Sequence, residues 1–272
     1  MSFTRNYHRP NFKPKSAKPY QCCTPVAGVY ACPDRNSAID DQLLYGQIFL
    51  VSSSSDDGRA YGQVQPLYGE QAGYVGYVDW RHLKEPKGGS FATISAIKAP
   101  VFSRADIKSP ILSFLSHGSR VGDGGISGAF LNIGNGYIHT HHLGYEFGRV
   151  DDFVETAKGY LGLPYIWGGK SGDGVDCSGL VQMALWASGR DCPRDADQQE
   201  AALGHDVEVR PDLSGLRRGD LVFWKGHVGI MEDAHTLLHA NGHFMMTMRE
   251  PLNDAARRIQ KSAGPITSIK RL

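Results

Sequence analysis

Nowhere does the chain carry the ~18 consecutive apolar residues that a membrane-spanning helix needs, so no contact with a membrane is expected. Charge imbalance is equally scarce. With 29 Lys and Arg against 28 Asp and Glu the net charge is +1, and no global field marks the protein for nucleic acid or an anionic surface. Cysteine is sparse and odd in number. Cys22, Cys23, Cys32, Cys177 and Cys192 form no regular framework, and adjacent Cys22 and Cys23 miss the spacing of a structural zinc site. Free thiols in a reducing compartment are the expectation. Gly122-Asp123-Gly124-Gly125 is not followed by Lys-Ser/Thr, which excludes a phosphate loop. The opening is basic, with Arg5, Arg9, Lys13, Lys15 and Lys18 ahead of the first acid, Asp34, but it lacks the apolar core of an export signal. Residues 1–25 are expected to form a flexible basic arm, and the protein is expected in the cytoplasm.

What is present suits a multidomain globular chain. A length of 272 residues fits two or three domains, and 41% hydrophobic residues supply a core for each. From residue 26 to 86 short apolar runs alternate with turn residues: Leu43-Leu44-Tyr45, Ile48-Phe49-Leu50-Val51 and Tyr74-Val75-Gly76-Tyr77-Val78. That spacing predicts a small all-β barrel. A Pro- and Gly-bearing linker follows, and residues 90–148 repeat the pattern. Gly76-Tyr77-Val78 and Gly136-Tyr137-Ile138 each precede a leucine, Leu83 and Leu143, by the same interval. An internal duplication is the natural reading. From residue 150 to 272 the period changes. Phe153, Ala157, Tyr160 and Leu161 are at helical spacing, a second helix is predicted from Cys177 to Ala187, and strands are predicted at Leu221–Trp224, Val228–Met231 and Thr236–Leu238. Helices followed by antiparallel strands make an α+β domain.

Chemistry concentrates in this last domain. Cys177 stands at a predicted helix start, where unpaired N–H groups and a partial positive charge favour a thiolate at neutral pH. A lone cysteine is more often an inert core residue, so the two downstream histidines matter. If their strands form a hairpin about Asp233, His227 lies opposite His239 on one face. One imidazole then takes the thiol proton and the other orients it, the arrangement nucleophilic catalysis requires. A pair of histidines can also bind metal, but by this register no carboxylate or third histidine joins them. His139, His141 and His142 are read as a solvated barrel edge, and Arg257 and Arg258 as surface charges.

The strings Leu163-Pro164-Tyr165-Ile166-Trp167-Gly168-Gly169, Asp176-Cys177-Ser178-Gly179-Leu180, Gly219-Asp220-Leu221-Val222-Phe223-Trp224, His227-Val228-Gly229-Ile230 and Leu238-His239-Ala240 resemble the NlpC family of cell-wall cysteine peptidases. The two preceding domains resemble bacterial SH3-like barrels. The resemblance implies two small SH3-like all-β barrels followed by an α+β, papain-like domain. It also implies a γ-D-glutamyl-L-diamino acid endopeptidase of the dipeptidyl-peptidase type, acting on freed murein peptides such as L-Ala-γ-D-Glu-L-Lys, without metal or other cofactor. It makes Cys177, His227 and His239 the triad and puts Tyr165 beside the oxyanion. Asp176 would meet the substrate's free amine, with Ser178 and Asp195 lining the pocket. Asp176 can equally be a helix N-cap, and Tyr165 a packing residue.

Two positions depart from the family pattern. Ala196 follows Pro193-Arg194-Asp195 where a small hydroxyl residue is common, and Gln47 follows Leu43-Leu44-Tyr45-Gly46 where an acid is common. Both bear on specificity rather than on catalysis. An amidase or acyltransferase using the same three residues, or a non-catalytic wall-binding protein, are the alternative functions.

Overall fold

The computed structural model describes residue 12 and residues 16–272, apart from 35, 57, 71, 72, 90, 123 and 145–149. Alternating burial builds the first domain. Strand Ile48–Ser54 buries Phe49 and Val51 and turns its other side chains outward, and strand Val75–Asp79 follows the same two-residue period. One antiparallel sheet runs Ile39–Leu44, Val26–Tyr30, Val75–Asp79, Arg59–Val64, Ile48–Ser54, Lys18–Cys22, Leu83–Lys84. Cys22, Val29, Leu43, Phe49, Val64 and Val78 fill its core. The domain starts earlier than residue 26. Lys18–Cys22 pairs with Ile48–Ser54, Lys18 opposite Val51 and Gln21 opposite Ile48, so the expected arm ends in a strand. Pro19 is tolerated there, and Cys22 is fully buried. Arg5, Arg9, Lys13 and Lys15 lie outside the described residues.

The second domain has a five-stranded sheet ordered Ile111–Ser116, Lys98–Phe102, Tyr137–His139, Phe130–Asn132, Ile126–Ser127. A three-stranded sheet, Arg120–Gly122, Phe91–Ile94, Leu143–Gly144, completes it. The duplication is visible at the closing segments. Strand Val75–Asp79 runs into the 3-10 turn Trp80–His82 and then Leu83, and Tyr137–His139 runs into Thr140–His142 and then Leu143. In both copies the residue before the turn accepts a backbone N–H with its side chain, Asp79 from Arg81 and His139 from His141.

The third domain holds four helices, α1 (Phe153–Lys158), α2 (Cys177–Ala187), α3 (Ala196–Ala202) and α4 (Leu252–Ala263). They pack on an antiparallel sheet ordered His205–Val207, Ser268–Arg271, Leu221–Trp224, His227–Met231, Thr236–Asn241, Met246–Pro251. Helix α2 is buried along all its residues, as an apolar-all-round helix must be. Leu180, Val181 and Leu185 pack with Leu221, Phe223, Val228, Ile230 and Leu238 of the sheet. Burying each such side chain stabilises by about 1.5–3 kcal/mol. Gly189, at φ +74, supplies the left-handed residue that ends α2. The amphipathic α4 covers the other face through Leu252, Ala255 and Ile259 against Val222, Trp224, Met231 and Leu237.

All three domains interlock. Leu44 and Leu67 of the first share the core around α2, and Tyr45 enters the core of the second. The second domain docks through His117, whose Nδ1 lies 3.0 Å from the Tyr160 hydroxyl, and through Ser116 Oγ, which accepts the Gly172 N–H at 3.0 Å.

Candidate active site

Cys177 is the first residue of α2, and the preceding Asp176 is its N-cap, accepting the Gly179 N–H at 2.7 Å. Gly179 is glycine for a steric reason: a Cβ there would stand 2.2 Å from the Gly169 carbonyl oxygen. The Cys177 sulfur receives the backbone N–H groups of Val228 and Ser178, so the nucleophile candidate sits against the start of the strand that His227 opens. Helix placement alone predicted a thiolate, but the structure argues otherwise. Burial, and after it the Asp176 carboxylate, pushes the thiol up to about 12, outweighing the two N–H groups and Arg194. Burial, with His239 and Arg258 adding to it, pulls His227 down to about 3. Both directions favour a neutral thiol and a neutral imidazole. The 240 nm absorbance difference between the native protein and Cys177→Ala should therefore stay flat at pH 7. A thiolate band should rise only in the alkaline range. A band already present at pH 7 would establish a charged resting pair instead.

His227 and His239 meet, though not as opposite neighbours. Ile230 pairs with Leu238 and Met231 with Leu237, and the Glu232 N–H donates to the Thr236 carbonyl at 2.8 Å. The hairpin thus turns about Ala234, and the two histidines are diagonal on one face. Asp233 caps this turn, its Oδ1 accepting the N–H groups of His235 and Thr236, which shifts the register by two residues and keeps the face. Gly229 makes room between them: a Cβ there would lie 2.7 Å from Leu237 Cδ1 and 3.2 Å from His239 Cβ. The rings then approach to 5.2 Å between centroids, with His227 Nε2 3.0 Å from His239 Nδ1.

A carboxylate does share this face. Glu250, on the strand Met246–Pro251, brings Oε2 to 3.3 Å from His239 Nε2, and Arg258 of α4 pairs with the same oxygen at 2.6 Å. Burial works against the Glu250 charge, but the hydrogen bond from His239 and the Arg258 ion pair hold its carboxyl down at about 2. An ionised carboxylate only accepts, so His239 Nε2 carries a proton, His239 Nδ1 is an acceptor, and His227 Nε2–H donates to it. Asn241 Nδ2, 3.2 Å from the same His239 Nε2, would favour the other tautomer, but the charged partner makes the stronger bond. His227 Nδ1 is left as the nitrogen able to take a proton. No hydrogen bond joins it to the Cys177 sulfur among the described residues, and no group of three or more His, Cys, Asp or Glu there is placed to hold a metal. Glu250 and Arg258 escaped the sequence reading, which had Arg258 as a surface charge.

The residues expected to face substrate separate into two groups. Asp176 and Ser178 point inward. Asp176 Oδ1 accepts from Arg194 NH1 at 2.8 Å as well as from Gly179, and Oδ2 accepts from Arg194 NH2 at 2.7 Å and from the Gly168 N–H at 2.9 Å. Ser178 Oγ lies 3.0 Å from Arg194 NH1. Both Asp176 oxygens are thus engaged by backbone N–H groups and the Arg194 guanidinium, and of its two readings the N-cap is the one the structure displays. Removing one partner from such a buried pair costs about 3–5 kcal/mol. Asp195 is different: it occupies the N-cap position of α3 yet makes no capping bond, and its Oδ2 accepts the Tyr74 hydroxyl of the first domain. Tyr165 is half-buried against the core, its N–H on the Met245 carbonyl and its backbone bridged to Val175, one residue before Asp176. Gln47 sits inside the first domain, accepting the Leu44 N–H and donating to the Gln65 carbonyl. It braces a backbone turn and is 1% exposed.

Residues 162–258 match the model of the NlpC/P60 family. The chain is 29% identical over 239 residues to a γ-D-glutamyl-L-lysine dipeptidyl-peptidase of Bacillus subtilis, covering 77% of this chain and 74% of that one. It is 26% identical to dipeptidyl-peptidase 6 of Lysinibacillus sphaericus, covering 79% and 85%. Its fold matches the crystal structure of an NlpC/P60 family protein from Bacillus cereus ATCC 10987 with a TM-score of 0.75 at 19% identity, over 93% of this chain and 99% of that one.

Proposed function

We propose that this cell-wall cysteine endopeptidase, two SH3-like domains followed by an NlpC/P60 domain, hydrolyses the γ-D-glutamyl bond to the diamino acid of short murein peptides that begin with a free L-Ala. Two observations support the chemistry: Cys177 stands at the first turn of α2 against the backbone of Val228, the residue after His227, and His227 meets His239, which Glu250 and Arg258 brace. Cys177 sulfur attacks the γ-carbonyl carbon while His227 Nδ1 takes the thiol proton. Substrate binding draws the two together, as hydrogen bonds loose in a resting site tighten around a reacting ligand. The Cys177 N–H, one of those a helix start leaves without an intrahelical acceptor, and Tyr165 support the oxyanion. His227 returns its proton to the departing amine, and a water molecule, deprotonated by the same nitrogen, releases L-Ala-γ-D-Glu from the thioester. Peptide specificity is supported by the two dipeptidyl-peptidase relatives, whose likeness extends over most of their length and not the last domain alone.

The free amine is read where the first domain abuts the third. Asp195, turned toward Tyr74 instead of capping α3, supplies the counter-charge there. Hydrolysis of L-Ala-γ-D-Glu-L-Lys, followed by mass spectrometry, should give L-Ala-γ-D-Glu and lysine. Acetylating the amine should lower kcat/KM about 10- to 150-fold, the worth of one charge-assisted hydrogen bond. Equal rates with both peptides would remove the amine from recognition, and no cleavage of either would overturn the substrate assignment.

A further inference from the structure

Four charged side chains meet where the first domain touches the third, and all are withdrawn from water. Asp41 is 2% exposed, Lys170 1%, Arg194 5% and Asp176 5%. Lys170 Nζ donates to Asp41 Oδ2 at 3.0 Å, and Arg194 Nε donates to Asp41 Oδ1 at 2.9 Å. The fork of the same guanidinium grips both oxygens of Asp176. Two anions and two cations balance. The loop between them is pressed onto the same strand of the first domain: a Cβ at Gly168 would stand 3.1 Å from the Asp40 carbonyl carbon, and the Lys170 N–H donates to Gln42 Oε1 at 3.0 Å.

Apolar side chains would hold two domains together at least as well as buried ions do. What the ions add is direction. A guanidinium is planar, and its donors are fixed relative to one another. With Nε on the first domain, the fork can meet Asp176 in one orientation only. Asp176 in turn holds Gly179 N–H of the first turn of α2 and Gly168 N–H of the facing loop. Cys177 is the residue between cap and turn.

We propose that Asp41, a residue of the first SH3-like domain, is a positioning residue for the nucleophile: acting through Arg194 and Asp176, it sets the first turn of α2 and with it the Cys177 sulfur. The inference rests on Cys177 being the nucleophile. It makes the first domain part of the catalytic apparatus, apart from any role in recognising the amine.

Asp41→Asn keeps an acceptor for Arg194 but leaves two buried cations facing one anion. Its kcat should fall about 10- to 100-fold, the effect of a sub-ångström to 1 Å misplacement, while KM stays within about threefold. The pH midpoint of Cys177 alkylation by iodoacetamide should move down, because Lys170 and Arg194 now favour the thiolate. Since a lone buried substitution can unfold the chain, Asp41→Asn/Lys170→Met restores neutrality. There the alkylation midpoint should return to the native value, while kcat and the limiting alkylation rate stay displaced. Native kcat and native alkylation in both folded variants would reduce Asp41 to an adhesive between domains, and a raised KM with native kcat would make it a substrate contact. Either result overturns the proposal. Alkylation reads the sulfur without any peptide, so a wrong substrate assignment leaves that arm of the test standing.

Discussion

Cys177→Ala loses hydrolysis of the murein tripeptide by about 10⁴-fold or more, the scale seen when a covalent nucleophile is removed, and keeps its circular dichroism and melting profile. The large effect follows from the absence of a second nucleophile at the first turn of α2. Ser178 is committed to Arg194, and Cys192 is buried with its sulfur on the Pro193 carbonyl. The small structural effect follows from shape, since alanine fits a helix start held by Asp176 and removes a thiol that burial disfavours in its charged form. Cys177→Ser should be nearly as inactive, because a hydroxyl is the poorer nucleophile with the same base. Substantial turnover in the alanine variant would assign the chemistry elsewhere.

His227 and His239 separate in the second expected result. His227→Ala falls about 10³-fold or more, since the base acts in thiol activation and in protonation of the leaving amine. His239→Gln loses only about 10- to 100-fold, because an amide oxygen can still accept the His227 Nε2–H and preserve the tautomer. Glu250→Gln lies on the mild side of that range. It removes the charge that keeps a proton on His239 Nε2, and its amide can donate to the same nitrogen, so a share of the molecules adopts the wrong tautomer. Steady-state kcat across the three variants checks the order. Equal losses at His227 and His239, with folding intact, would contradict the division of roles.

Local pattern made much of this legible. The helix Cys177–Ala187 and strands Leu221–Trp224 and His227–Met231 have the bounds or nearly the bounds that period and glycine placement predict. Such segments are buried almost throughout, so few polar residues blur their period. The strand Met246–Pro251 was not anticipated, its methionines and charges lacking clean alternation, and Glu250 was lost with it. Helix α4 did carry a signal, Leu252, Ala255 and Ile259 at helical spacing, which would have placed Arg258 on the flank of the buried stripe, next to Ala255. The partnership of Asp41 with Arg194, 153 residues apart, has no local signature. Charge types give no hint of which anion a buried cation meets. The same holds for Asp176 and Ser178: the motif fixes their identity and the cap was legible, but the network they enter with Arg194 is assembled across domains.

The turn between the histidine strands acts as a ruler. Asp233, Ala234 and His235 span the gap closed by the Glu232–Thr236 bond, and none of them reaches the imidazoles. Their number nevertheless decides where His239 stands. One residue more or fewer turns the second strand over and carries the ring to the opposite face of the sheet. Two more or fewer keep the face but slide the ring about 6–7 Å along the strand, past the gap that Gly229 leaves for it. A surface loop open to solvent is thus as tightly constrained in length as the buried site is in chemistry. Variation among proteins built on this plan should appear in the identities of those three residues and not in their count.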